Sequence, residues 1–218
     1  MTPITIALLA VTMVATATLS GVFGMAGGMV LIGVLLVLLP LPDAMALHAV
    51  TQMASNGWRA LLWRHHVVWR PVVSYLAGCA LALALWGLVL YVPSKGAALF
   101  CLGAIPLAMR AVPRSFTPNP TRPLHGLGWG CLCMTSMLLT GVTGPMLDSY
   151  FLGTDWDRRR IVATKAVCQV FGHLAKLAYF GVLILETADL DPFIATMAVG
   201  CSMIGTTLGR VVLERLTD

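Results

Sequence analysis

Lys165, Gln169, His173 and Lys176 stand four, four and three residues apart inside an otherwise apolar stretch, RRIVATKAVCQVFGHLAKLAYFG, residues 159–181. On a helix that spacing is a single stripe. His48, Gln52, Asn56 and Arg59 repeat it at a constant offset of 117 residues. Each stripe has amide or imidazole groups in its middle and a cation at one end or both. An Arg or Lys at bilayer depth costs roughly 2.5 to 3.5 kcal/mol, so such groups seek a polar cavity or a partner. Two antiparallel stripes facing each other would line one polar site with hydrogen-bond donors and positive charge. That is an environment for an anion.

Two glycine motifs accompany the stripes: SGVFG at Ser20 to Gly24 and TGVTG at Thr140 to Gly144, offset by 120. Glycines allow a helix to break, and a break exposes backbone N–H groups that attract anions. Gly24 and Gly144 at the tips therefore join Gln52, Asn56, Arg59, Lys165, Gln169, His173 and Lys176 as candidate substrate contacts. Asp148, just beyond the second motif, reads either as an interfacial cap or as a proton-coupling carboxylate. His48 is the other candidate for coupling. More ordinary roles remain open: Arg59 and Lys176 could snorkel, Gln52 and Asn56 could join helices, and the glycines could serve close packing.

The elements that must position these residues are membrane helices. The 218-residue chain is 58% hydrophobic and 11% charged, with a mean hydropathy of +0.87. Soluble domains carry roughly 25% charged residues. Apolar runs of about 17 to 25 residues recur along the whole chain. The net charge of +5 sits in short loops, as the positive-inside rule requires, rather than in a nucleic-acid-binding patch. No basic segment precedes the first apolar run, so no cleaved signal peptide is expected. The six cysteines and twelve methionines read as packing residues; Cys131 and Cys133 are too close for a zinc pair.

Breakers divide the chain into Ile4 to Ser20, Met29 to Leu39, Ala44 to about His66, Val72 to Tyr91, and Gly96 to about Met109. The second half gives Leu124 to Leu139, a short arm Met146 to Gly153, Arg158 to Leu185, and Pro192 to about Leu213. The expected fold is an all-α polytopic membrane protein. It is an inverted-topology repeat with two glycine-broken helical hairpins and about five full transmembrane helices. Residues 1–110 form the first half, 111–123 a cytoplasmic linker loop, and 124–218 a second, inverted and shorter half. Loop arginines place the N-terminus outside and the C-terminus in the cytoplasm. Trp58, Trp63, Trp69 and Tyr91 read as an interfacial belt.

SGVFGMAGG, HAVTQMASN, TGVTGP and ATKAVCQVFGHLAK together resemble the TauE/SafE family of sulfite exporters and sulfonate permeases. The resemblance covers nearly the whole chain. It implies an inverted-repeat carrier of a bacterial inner membrane for sulfur-containing anions such as sulfite or organosulfonates. Two features depart from the family pattern. The second motif continues as GPMLD where the first has a glycine pair, and Gly96 to Met109 has no counterpart in the second half.

The leading expectation is thus a transporter working by alternating access, not an enzyme, with no cofactor and no bound metal. Its partners would be a small anionic substrate, the lipid bilayer and, as an option, a second copy in a homodimer; no nucleic acid is expected. Two other classes compete: a metal-cation permease using His and Met residues, and an intramembrane enzyme. The latter lacks GxSxG, HExxH and paired-aspartate motifs.

Overall fold

A computed structural model describes residues 3–23, 26–113, 116, 118–151, 153–183 and 191–217. Among them the chain is all helix and turn, with no strand. The helices are α1 (Pro3–Phe23), α2 (Ala26–Leu38), α3 (Leu41–Leu62), α4 (Trp69–Val89) and α5 (Lys95–Ala111). They continue with α6 (Pro123–Thr140), α7 (Gly144–Phe151), α8 (Arg158–Ala178, extended by one π turn, Tyr179–Leu183) and α9 (Pro192–Thr217).

Four helical stretches are long and apolar enough to cross a membrane: Pro3–Val22, Trp69–Val89, Arg158–Gly181 and Pro192–Val212. This set differs from the sequence expectation. The first stretch is the long arm of the first expected hairpin; α1 has 21 residues, about 32 Å of helix. The chain of α3 is long enough, but its polar stripe keeps it out of the apolar set. It also stops at Leu62, where a 3₁₀ turn, Arg64–His66, replaces the expected continuation to His66.

Local chemistry sets the helix ends. Ser94 caps α5 by accepting from the Ala97 N–H at 3.2 Å, and Asp157 caps α8 by accepting from the Arg160 N–H at 3.0 Å. Gly141, at φ +84°, closes α6 in the left-handed conformation that glycine adopts without strain. The Lys95 ammonium donates to the carbonyls of Val37 and Leu39 at 3.4 and 3.2 Å, and so satisfies the C-terminus of α2.

Packing follows a paired plan. α1 lies parallel to α9, and α4 lies parallel to α6; α3 and α8 form the antiparallel centre. Small residues permit both parallel pairs. Gly205 and Gly209 sit four apart on α9 against the α1 backbone at Val14, Thr18 and Gly21. Gly126 and Gly130 sit four apart on α6 against Ser74 and Tyr75 of α4, and Gly78 of α4 faces Leu127. Each of these glycines lies where a methyl group would strike the neighbouring helix, the close approach on which membrane helices depend. Cys79 and Cys131 exchange S–H donations across α4 and α6, to Gly130 at 3.4 Å and Gly78 at 3.2 Å. All six cysteines are free thiols. Leu88, Leu124, Ile4 and Phe100 are among the large apolar side chains on the outer face, the surface lipid would cover. Trp69 and Tyr91 are exposed as a belt requires. Trp63 instead lies under the Arg159 guanidinium, and the indole N–H of Trp58 is buried.

Candidate functional site

The two polar stripes meet. α3 and α8 run antiparallel at the centre of the bundle, and their facing residues enclose a small cavity. Gln52, Asn56 and Arg59 come from α3, and Gln169 and His173 from α8. Ser20 of α1, Gly28 and Met29 of α2, and Val142, Thr143 and Gly144 of the second glycine segment complete the lining. Six sequence-derived candidates are thereby brought to one place: Gln52, Asn56, Arg59, Gln169, His173 and Gly144. Gly24 lies outside the described residues.

The broken helices aim at this cavity. α2 begins at Ala26 and α7 at Gly144, so both short helices present an N-terminal turn to it. Such turns carry free N–H groups and partial positive charge. The bend between α6 and α7 is held by side chains. Ser136 Oγ and Thr140 Oγ1 donate to the Val142 carbonyl at 3.1 and 3.2 Å. The Trp129 indole donates to the Met146 carbonyl at 2.8 Å.

Several polar atoms around the cavity have no partner. Arg59 Nη1 donates to Asn56 Oδ1 at 3.3 Å, but Nη2 is buried and unbonded. Thr143 Oγ1 and His173 Nδ1 are likewise buried and unbonded. Buried polar groups are nearly always satisfied, and leaving one without a partner costs about 1 to 3 kcal/mol. Three such groups lining one cavity mark a place for a ligand with hydrogen-bonding atoms. Asn56 is oriented for this: its Nδ2 donates to the Gln52 carbonyl at 2.9 Å, which turns its oxygen to Arg59.

The remaining candidates lie behind the lining. His48 and Lys176 are both fully buried. His48 Nε2 bonds to the Gly28 carbonyl at 2.9 Å, and since a carbonyl only accepts, Nε2 carries the proton. Nδ1 is then the acceptor, and Lys176 Nζ donates to it at 2.8 Å and to the Gly141 carbonyl at 3.0 Å. This chain of bonds ties the first glycine segment to the second through the centre of the bundle. The His48 and His173 rings stand edge to face, 5.4 Å apart. At the other end of the stripes Lys165 forms an ion pair with Asp148 of α7, and Arg59 lies within electrostatic reach of it.

The cavity offers about 10 Å³ to the centre of a water-sized sphere, room for one water. A polyatomic anion needs more room than that. Sequence reasoning missed Ser20, Met29, Val142 and Thr143 as lining residues, whereas Gly28 belongs to the glycine-rich break it singled out. Thr143 had a visible signal, a hydroxyl inside TGVTG. Met29 and Val142 carry none, because only the bend places them.

No curated protein and no solved structure matches the chain. The family model described as sulfite exporter TauE/SafE matches residues 8–218. That match spans every lining residue and, apart from the first five residues of α1, the helices that carry them. The chain is therefore a membrane protein of the sulfite exporter TauE/SafE family, whose members are transporters.

Proposed function

We propose that this chain carries a small sulfur-containing anion, sulfite or an organosulfonate, across a bacterial inner membrane by alternating access around the α3–α8 cavity. The observation that carries the reading is the set of unpartnered polar atoms, Arg59 Nη2, Thr143 Oγ1 and His173 Nδ1, on a cavity that two helix N-termini also face. A sulfonate or sulfite oxygen cluster accepts from the guanidinium and the hydroxyl, and from His173 when its proton is on Nδ1. Gln52, Asn56 and Gln169 add adaptable amides. His48, Lys176, Lys165 and Asp148 hold the surrounding elements and are the groups through which movement of one half reaches the other.

An inverted repeat of the halves 1–110 and 124–218 is part of this proposal, and the packing supports it. The parallel pair α1 with α9 corresponds to α6 with α4 when the halves are exchanged, and α3 with α8 corresponds to itself. In each half a long arm is followed by a short one, of 21 and 13 residues, then 18 and 8. The contacts correspond too. At an offset of 117 His48 maps to Lys165, and at 120 Gly28 maps to Asp148. The contact of His48 with Gly28 thus has its counterpart in Lys165 with Asp148.

Orientation, with the N-terminus outside and the C-terminus in the cytoplasm, rests on charge. Arg159 stacks over Trp63, and the Val68 N–H donates to Thr164 Oγ1 at 3.0 Å. The loops bearing Arg64 and Arg70 and the run Arg158 to Arg160 therefore share one end of the bundle. Lys95 and the bond from Tyr179 to the Tyr91 carbonyl mark the other.

The metal-permease alternative fares worse. Both ring nitrogens of His48 are engaged, one by a carbonyl and one by Lys176, which leaves no lone pair for a metal. Flux into proteoliposomes of sulfite, an alkanesulfonate and a divalent metal tests the reading. It predicts movement of the anions and not of the metal. Metal flux without anion flux would overturn it.

A further inference from the structure

The charges around the cavity specify more than an anion; they specify how many charges it carries. This inference rests on the anion-carrier reading. Among the described residues, Arg59 is the charged side chain that lines the cavity. Lys165 lies within electrostatic reach of Arg59 and is already neutralised by Asp148, with side chains only 12% and 27% exposed. Lys176 is turned into His48 and the Gly141 carbonyl, away from the cavity. His173 keeps a free ring nitrogen and a ring set edge-on to His48.

We infer that the site is built for a singly charged anion, an alkanesulfonate or hydrogensulfite, and that Asp148 sets this selectivity by occupying Lys165. One open guanidinium balances one negative charge. A second negative charge in a water-poor cavity has no cation left to meet it, and leaving it unpaired is costly. Asp148 stands where a dianion's second charge would otherwise find Lys165. It rides on α7, whose first residue lines the cavity, so the same short helix presents N–H groups to the ligand and withholds a cation from it.

The test measures proteoliposome flux of methanesulfonate and of sulfate, a monoanion and a dianion whose charges are constant around neutral pH, at fixed ionic strength. Wild type should favour methanesulfonate. Asp148→Asn frees Lys165 and should shift the ratio toward sulfate by about tenfold or more, the worth of one charged hydrogen bond. Lys165→Gln alone leaves the Asp148 carboxylate unneutralised on the short helix whose first residue lines the cavity, and should weaken methanesulfonate transport. Adding Asp148→Asn to Lys165→Gln should restore it, and the methanesulfonate-to-sulfate ratio in Asp148→Asn is the readout that a purely structural ion pair would not move. Equal or better sulfate flux in wild type overturns the inference while leaving the carrier reading intact. So does an unchanged ratio in Asp148→Asn, or absence of rescue in the double variant. If wild type moves neither of these anions nor sulfite, the carrier reading falls and this inference with it.

Discussion

Arg59→Gln separates affinity from stability. In the wild type the Arg59 guanidinium makes one weak internal bond, Nη1 to Asn56 Oδ1 at 3.3 Å, and keeps Nη2 buried and unbonded at the cavity. Removing it therefore costs the folded protein little. It also removes a cation whose burial at membrane depth costs roughly 2.5 to 3.5 kcal/mol on insertion scales. The empty protein should melt at the same temperature or higher. The bound protein loses a charged hydrogen bond worth about 1.5 to 3 kcal/mol, so the Kd for an alkanesulfonate should rise about tenfold to a hundredfold. Arg59→Lys keeps the charge and loses the fork, so its Kd should fall between the two. The assay is ligand-dependent thermal stabilisation in detergent, read at increasing methanesulfonate for wild type and both variants. A wild-type Kd in Arg59→Gln, or a large loss of stability without ligand, would refute the reasoning. The first result would mean that Nη2 does not meet the anion, and the second that Arg59 holds the fold.

Gly130→Ala should lower the melting temperature through overpacking of about 1 to 3 kcal/mol, because a methyl there strikes the Tyr75 carbonyl, whereas Gly128→Ala, with open space at that position, should not. Thermal melts of the two purified variants give the comparison directly. Asp157 accepts the Arg160 N–H and pairs with its guanidinium at 3.3 Å, and the first of these contacts chiefly holds its carboxyl below the ordinary range. Its contribution is present at neutral pH and is lost as pH falls through the carboxylate range. Asp157→Asn should flatten that part of a melting-temperature profile measured against pH. Reporter fusions within residues 111–123 and at the C-terminus should both report the cytoplasm; an exterior report from either would remove the basis for inverted halves.

The stripes were legible because polar side chains in an apolar background have few places to go. His48, Gln52, Asn56 and Arg59 had to face something, and the matching set on the later helix was the one partner of the right length and spacing. The glycine motifs were legible for a similar reason: a break inside a membrane exposes backbone that something must satisfy. What the pattern did not carry was depth and pairing. Lys165 looked like an open cation, but α7 folds back after Gly144 and brings Asp148 to it. Lys176 looked like its equal, yet it is spent on His48 and Gly141. Both outcomes depend on the bend at Gly141 to Thr143, which side-chain bonds from Ser136 and Thr140 shape. Thr143 entered the site by the same bend. The end of α1 was less legible: the apolar run stops at Ser20, whereas the helix continues through Gly21 to Phe23, with Gly21 packed against Gly209 of α9.

The central claim is that the α3–α8 cavity is where the anion is carried, and the two glutamines test it most directly. Gln52 and Gln169 line it from opposite helices. Among the described residues, neither side chain makes a hydrogen bond to another group of the protein. Leucine at either position keeps the volume and removes the polar group. Proteoliposome uptake of a labelled alkanesulfonate should fall at least about tenfold in both Gln52→Leu and Gln169→Leu, with insertion and melting temperature close to wild type. Wild-type uptake in both variants would contradict the account and leave the stripes as contacts between helices.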